Sequence, residues 1–289
     1  MYSKVIIASD LSDASNHVVE CVQGLTQFGT REVILFHALG IRHLQDMRYE
    51  LARYAEPVLQ KQKQMVESFG YSVTTHIATG SAAYEVWDFA KKENASLVVI
   101  GTHGHSLAFD VFLGGEAHKI IHGMVKPLLV VRLAPVKDRE HTCSADCVTI
   151  DRPVLFATDF SDTAELAFTY VEKMAESGAK KATLMHVQDK SRIEKHLKDR
   201  LDEFNTIDTQ RLERLKDRLV SKGMKDVKIV LTYGMPSEEI GKTSKEDDYS
   251  MIVMGAQGRS LLNNVFVGSV SWNTVQNSPH PVLLVPALK

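Results

Sequence analysis

The chain has 289 residues, a formal net charge of −2 at pH 7, 44% hydrophobic residues and 24% charged residues, the balance of a globular protein long enough for two ordinary domains. Near-neutral charge gives no electrostatic basis for binding nucleic acid or an anionic membrane surface, and no apolar run is long enough to cross a bilayer. The first residues, MYSKVIIASDLSD, enter a strand-like pattern without a signal peptide's apolar core, and three cysteines are too few for a disulfide framework, so a cytoplasmic location is expected.

In chain order, short Val, Ile and Leu runs near Val5, Val33, Val73, Leu97 and Leu128 alternate with amphipathic stretches such as VVECVQGLTQF and AAYEVWDFAKK. Continuous apolar runs of this length read as parallel strands covered on both faces. Alternation of strand and helix then predicts a doubly wound α/β domain. The segment LAPVKDREHTCSADCVTID, Leu133 to Asp151, mixes proline, charges and small polar residues. It reads as a linker (133–151) between a first domain, 1–132, and a second, 152–289. His141, Cys143 and Cys147 fall within it. A closed zinc site needs a fourth ligand that this spacing does not supply, so metal binding and redox activity are both left open beside the simpler reading of reduced linker cysteines. Cys21 reads as a helix residue facing the core.

Beyond the linker the pattern starts again. KVIIASDLSDAS (Lys4 to Ser15) aligns with PVLFATDFSDTA (Pro153 to Ala164), setting Asp10 over Asp159 and Ser12 over Ser161. VILFHA over ATLMHV sets His37 over His186 at the same offset. Gly80 over Gly234, LVVIG over MIVMG and Pro127 over Pro281 share an offset five residues longer, which places the extra residues between the second and third strands of the second copy. Units of this size are tandem domains rather than solenoid repeats. Within the second copy, RIEKHLKDRLDEFNTIDTQRLERLKDRLV sets Ile193, Leu197, Leu201 and Phe204 along one face, then Leu212, Leu215 and Leu219. Its charges read as a solvated face laced with i,i+4 pairs.

A glycine loop also occurs twice, as GTHGHSLAFDVFLGGEA (Gly101 to Ala117) and GAQGRSLLNNVFVGSVS (Gly255 to Ser271). Each follows an apolar run and opens a helix, where free N–H groups and the helix dipole favour an anion. Glycine at 255 and 258 permits positive φ or close approach of a ligand, and the Ser269 hydroxyl either caps the helix or donates to a phosphate oxygen. The aspartates Asp10 and Asp159 end strands facing this site. A carboxylate there suits Mg²⁺ held with phosphates or a helix cap; the ligand role is favoured for Asp159 and capping for Asp10. His37 and His186 read as structural, and His103 and His105 as solvent-exposed loop residues.

The Gly-x-x-Gly, nine residues, Gly-Ser pattern with an aspartate after the first strand resembles the universal stress protein family, over both halves of the chain. The resemblance implies two tandem doubly wound domains, each a five-stranded parallel sheet of order 3-2-1-4-5 flanked by helices. It also implies adenine-nucleotide binding, ATP or AMP, with Mg at Asp159. Backbone after the second strand is expected at the adenine, and the glycine loop at ribose and phosphates. The positions it nominates are Ala157, Asp159, Val187, Gly255, Gln257, Gly258, Arg259, Gly268, Ser269, Val270 and Ser271. Weaker first-domain candidates are Ala8, Asp10, Ala38, Gly101, Gly104, Gly114 and Gly115. There Gly115 replaces Ser269 and Glu116 replaces Val270, which predicts poorer phosphate binding through a lost hydroxyl and an added carboxylate. The resemblance further implies an intramolecular pseudo-dimer through PLLVVR and PVLLVP, and leaves a homodimer open.

The function expected is therefore a nucleotide-binding stress or regulatory protein without catalytic residues. A slow Mg-dependent ATPase and a nucleotide-free interaction protein are the alternatives. No G-x-x-x-x-G-K-[ST] pattern supplies the usual phosphate-binding lysine, which ranks catalysis below binding. A phospho-acceptor signalling domain fails on topology, because Lys126-Pro127 precedes the last apolar run and no aspartate ends the third.

Overall fold

The computed structural model describes residues 2–40, 45–102, 114–132, 148–194, 198–258 and 267–287. The chain divides into two units, Met1–Val148 and Thr149–Lys289. In the first, chain order is β1 (Lys4–Ala8), α1 (Asp13–Cys21), a 3-10 turn (Gln23–Phe28), β2 (Glu32–Leu39), α2 (Gln45–Ser68), β3 (Ser72–Thr79), α3 (Ala82–Lys92), β4 (Leu97–Gly101), α4 (Gly115–His122) and β5 (Leu128–Val131). The second runs β6 (Val154–Thr158), α5 (Asp162–Glu176), β7 (Lys181–Asp189), α6 (Lys190–Ile193), a 3-10 turn (Lys198–Arg200), α7 (Leu201–Ser221), β8 (Asp226–Gly234), α8 (Pro236–Thr243), β9 (Met251–Gly255), α9 (Ser269–Asn277) and β10 (Val282–Val285). Among the described residues no helix is long and apolar enough to cross a membrane.

Both units carry the sheet that the strand–helix alternation implies. In the first, parallel pairing runs β3-β2-β1-β4-β5; in the second it runs β8-β7-β6-β9-β10. Each order is 3-2-1-4-5 in the unit's own numbering. Val5, Ile6 and Ile7 in β1 are fully buried, as are Val154, Leu155 and Phe156 in β6. Burial of consecutive residues, which point to opposite faces, requires helices on both sides of the strand. Each such apolar side chain contributes about 1.5–3 kcal/mol.

Two elements differ from the sequence expectation. The amphipathic run VVECVQGLTQF is not one helix: α1 ends at Cys21 and a 3-10 turn follows, closed by Gly29 at φ 85°. The long pattern from Arg192 is likewise divided into α6 and α7. Leu212, Leu215 and Leu219 are buried as the period requires, while Leu197 lies outside the described residues. Cys21 is buried on α1 as expected of a core-facing position, and it is disulfide-bonded rather than a free thiol.

The serines at the first βα turn form the helix caps. Ser12 Oγ accepts from Ser15 N at 3.3 Å and Ser161 Oγ from Ala164 N at 3.2 Å, so Asp10 and Asp159 are not the capping residues. Each aspartate instead accepts from its capping serine's backbone N–H, at 3.1 and 3.0 Å. The residue between them, Leu11 at φ 67° or Phe160 at φ 58°, is held in the left-handed region, a strain that only surrounding structure can maintain.

Gly255 ends β9 against the start of α5, and positive φ is not what this position requires. A Cβ there would lie 3.0 Å from Thr163 Cγ2 and 3.1 Å from the Ala164 backbone nitrogen. Glycine is needed because helix and strand meet too closely for a side chain. Gly255→Ala is expected to lower stability by about 1–3 kcal/mol through overpacking. Urea unfolding of the full chain checks it, and an unchanged midpoint would show that this contact relaxes freely.

Candidate functional site

In an open parallel sheet the groove for a ligand lies beyond the strand carboxyl ends where the strand order reverses. In the second unit that point falls between β6 and β9, and a cavity of about 580 Å³ lies there. The volume is in the usual range of small-molecule sites. Its walls include Ala157, Thr158 and Asp159 from the end of β6, and Met185 to Asp189 from the end of β7. Gly255, Gln257 and Gly258 follow β9, and Gly268 to Ser271 open α9. Its apolar walls include Ile193 of α6, Phe204 and Ile207 of α7, Ile240 of α8 and Met254 of β9.

All the nominated second-unit residues that the structure describes line this one cavity. Arg259 lies outside the described residues. Their parts differ. Gly268 is the N-cap of α9, with φ −72°, ψ 154° and no side-chain cap, so the Ser269 hydroxyl does not cap the helix. Ser269 is exposed at the first turn beside uncapped backbone N–H groups, an arrangement that suits an anion. Ser271 is buried, and its Oγ donates to Gly255 O at 2.8 Å, tying α9 to β9 rather than reaching for a ligand. A Cβ on Gly258 would come within 2.8 Å of Asp159 Oδ2; glycine here lets the loop pass against the carboxylate.

The first-unit candidates occupy the matching places: Ala8 ends β1, Asp10 follows it, Ala38 lies near the end of β2, Gly101 ends β4, and Gly114 and Gly115 open α4. Gly104, with His103 and His105, lies outside the described residues, as do His141, Cys143 and Cys147. Asp10 differs from Asp159 in its company. Its Oδ1 accepts from Ser12 N, from Ser12 Oγ at 2.6 Å and from Ser15 Oγ. The residue matching Ser15 is Ala164, which leaves Asp159 without that hydroxyl. Glu116 is about half exposed and pairs with Lys119 at 2.6 Å. Gly115 has open space, since a Cβ there meets nothing within 4 Å.

His37 and His186 repeat one contact. Their Nδ1 atoms lie 2.9 Å from Ser9 O and 2.7 Å from Thr158 O, holding the end of the second strand to the end of the first. In the second unit His186 also belongs to a buried polar group that the sequence reading missed. Asp208 of α7 is buried. It accepts from Gln188 Nε2 at 3.2 Å, faces His186 Nε2 at 3.6 Å and meets Arg211 at 3.5 Å. The Arg211 guanidinium lies 5.1 Å from the centroid of the Phe160 ring, whose other neighbour is the His186 ring at 4.5 Å. This network buttresses the strained turn that carries Asp159. A helical signal for it exists: Phe204, Asp208 and Arg211 fall at i, i+4 and i+7, on the stripe that the apolar pattern alone defined.

Among the described residues no three His, Cys, Asp or Glu side chains converge as a metal site. A cation at Asp159 would take its remaining ligands from bound phosphate and water, as Mg²⁺ commonly does.

Comparison with known proteins agrees with this architecture. The family model of the universal stress protein family matches residues 1–132 and again 152–286. Universal stress protein MJ0577 of Methanocaldococcus jannaschii is 31% identical over 152 residues, covering 46% of this chain and 94% of the relative. Universal stress protein YxiE of Bacillus subtilis is 26% identical over 148 residues, covering 46% and 100%. A crystal structure of a universal stress protein from Archaeoglobus fulgidus superposes with a TM-score of 0.75 at 22% identity, covering 99% of this chain and 98% of that one, a likeness of fold.

Removing the Asp208 carboxylate leaves Gln188 Nε2 and Arg211 without this acceptor. Asp208→Ala is expected to cost about 1–3 kcal/mol, and Asp208→Asn, which keeps one acceptor oxygen, less. Chemical denaturation of both variants checks the order; equal, negligible losses would show that the network carries no stability.

Proposed function

The chain belongs to the universal stress protein family, with two copies of its domain, and on that premise we propose that the second unit binds an adenine nucleotide, ATP or AMP. The observation that carries this reading is the convergence of Asp159, Val187, Gly258, Gly268 and Ser269 on one cavity of about 580 Å³ at the switch point of the sheet. The uncapped start of α9 and the Ser269 hydroxyl receive the phosphates. The backbone at Val187 meets the base. Asp159 holds Mg²⁺ together with the phosphate oxygens. Phe204, Ile207 and Ile240 give the flat faces of the base an apolar surface.

The role that follows is regulatory. A ligand that binds only the folded unit stabilises it by mass action, by about 2.7 kcal/mol at a hundred times Kd, so nucleotide supply sets the population of the ordered site. The alternative of a slow ATPase lacks a phosphate-binding lysine of the P-loop kind.

Gly268→Val tests the site. The Cβ would meet Ala256 O and Gly258 N only at 3.7 Å, and φ −72° suits any residue, so the fold is expected to survive while the branched side chain fills the phosphate position. ATP affinity should fall on the order of tenfold or more, about 1.4 kcal/mol per decade, by calorimetric titration of the full chain. Unchanged affinity in a folded variant would refute the assignment.

Preference for the second unit is the other part of the proposal. It rests on the hydroxyls of Ser12 and Ser15 around Asp10 and on the missing hydroxyl at Gly115. Titration is expected to give one tight site per chain. Gly115→Ser is expected to strengthen binding at the first unit by roughly the worth of one neutral hydrogen bond, 0.5–1.5 kcal/mol. Two equal tight sites in the unaltered chain would overturn the preference.

A further inference from the structure

Helix α4 of the first unit carries two histidines one turn apart. His118 and His122 stand at i and i+4 on one face, and their ring centroids are 4.3 Å apart with the planes tilted by 31°. His118 is exposed and His122 half-buried, so the pair lies at the surface rather than in the core. The helix that carries it is anchored: Ile120 and Ile121 are buried, and Trp87 Nε1 of α3 donates to Ile120 O at 2.9 Å. The shared fold does not ask for these histidines. The matching positions of α9 are Trp272 and Gln276, and that helix forms without them.

Two histidines at i and i+4 on a helix face can ligate one ion together. Each imidazole has two ring nitrogens and a broad terminal torsion, so rings already in contact can turn one nitrogen each toward a common point without moving the backbone. The ligand form is the neutral ring. Burial, and after it the neighbouring His118, holds His122 below the ordinary histidine range, which keeps that ring neutral at physiological pH. Lys119, the cation between the two in sequence, is paired with Glu116 at 2.6 Å. The pair also closes the last turn of α4, where the helix dipole favours a positive charge. Imidazole selects borderline transition ions, whereas Mg²⁺ takes oxygen ligands. Among the described residues no group of three or more His, Cys, Asp or Glu gathers around an ion position, so water completes the four places that Zn²⁺ prefers.

We propose that His118 and His122 form a surface chelate for a divalent transition-metal ion of the Zn²⁺ type. The site belongs to the first unit and does not depend on the nucleotide reading. Because the helix is fixed before the ion arrives, little ordering entropy opposes binding. The bound ion ties one turn of α4 together and stabilises the folded unit by mass action. Stacking of the two rings alone predicts no ion uptake.

The test is calorimetric titration of zinc chloride into the nucleotide-free, chelator-treated full chain. The chain has 12 histidines and 3 cysteines, so the readout is the difference between the unaltered chain and its variants. His118→Gln and His122→Gln are each expected to weaken one zinc equivalent at least about tenfold, since even an outer-shell partner of a metal ligand is worth that much. The double variant should lose that same equivalent and not a second one. The equivalent should persist in a Cys143→Ser, Cys147→Ser chain and in an excess of Mg²⁺. Should replacement of the half-buried His122 unfold the chain, His118→Gln at the exposed position carries the comparison, its folding checked by the denaturation midpoint without zinc. Zinc uptake equal in the unaltered chain and the folded variants overturns the chelate. So does loss of two independent equivalents in the double variant, or displacement of the zinc by Mg²⁺.

Discussion

Burial of β6 on both faces is the constraint from which the second unit's site follows. Val154, Leu155 and Phe156 admit no water on either side, so the strand must be central and helices must cross over both faces. Right-handed crossovers between parallel strands then deliver every loop of one kind to the carboxyl ends. With β7 on one side of β6 and β9 on the other, the chain leaves in opposite directions at that edge. The gap between the departing loops is the cavity. Nothing about a ligand is needed to create it; what the residues around it supply is chemistry.

That chemistry is divided between backbone and side chain. At the α9 end it is backbone: Gly255 lets β9 approach α5, Gly258 passes against Asp159, and Gly268 opens a helix without a side-chain cap. At the β7 end it is side chain: Gln188, Asp208 and Arg211 form a connected polar group around a strained turn. The first kind tolerates drift in most neighbouring residues because N–H groups do not depend on side-chain identity. The second depends on each member, since a buried polar group left without its partner is costly.

The two copies show how little change in sequence alters the groups around one conserved turn. Both keep the aspartate, the capping serine, the left-handed residue between them and the histidine that binds the first strand's end. Ser15 against Ala164 changes what surrounds the carboxylate, and Gly115 against Ser269 changes what the last helix offers. Glu116 adds a carboxylate to the first turn of that helix, where it pairs with Lys119.

Local patterns in the amino-acid sequence determined the strands, the parallel doubly wound architecture, the repeat, and the residues at the strand ends and glycine loop, because periodicity and turn chemistry act between near neighbours. They also mark both aspartates, although not which of them is surrounded by hydroxyls. Three things were decided only by tertiary structure. Gly255 is glycine because α5 packs against it, not because its own backbone needs positive φ. Ser271 serves the fold through Gly255 O, whereas its neighbour Ser269 faces the cavity. Asp208 and Gln188 are twenty residues apart and become partners when α7 lies along the end of β7. No period along the chain encodes that meeting, since a hydrogen bond between a helix and a strand depends on how the two pack, and packing is a property of the whole folded unit.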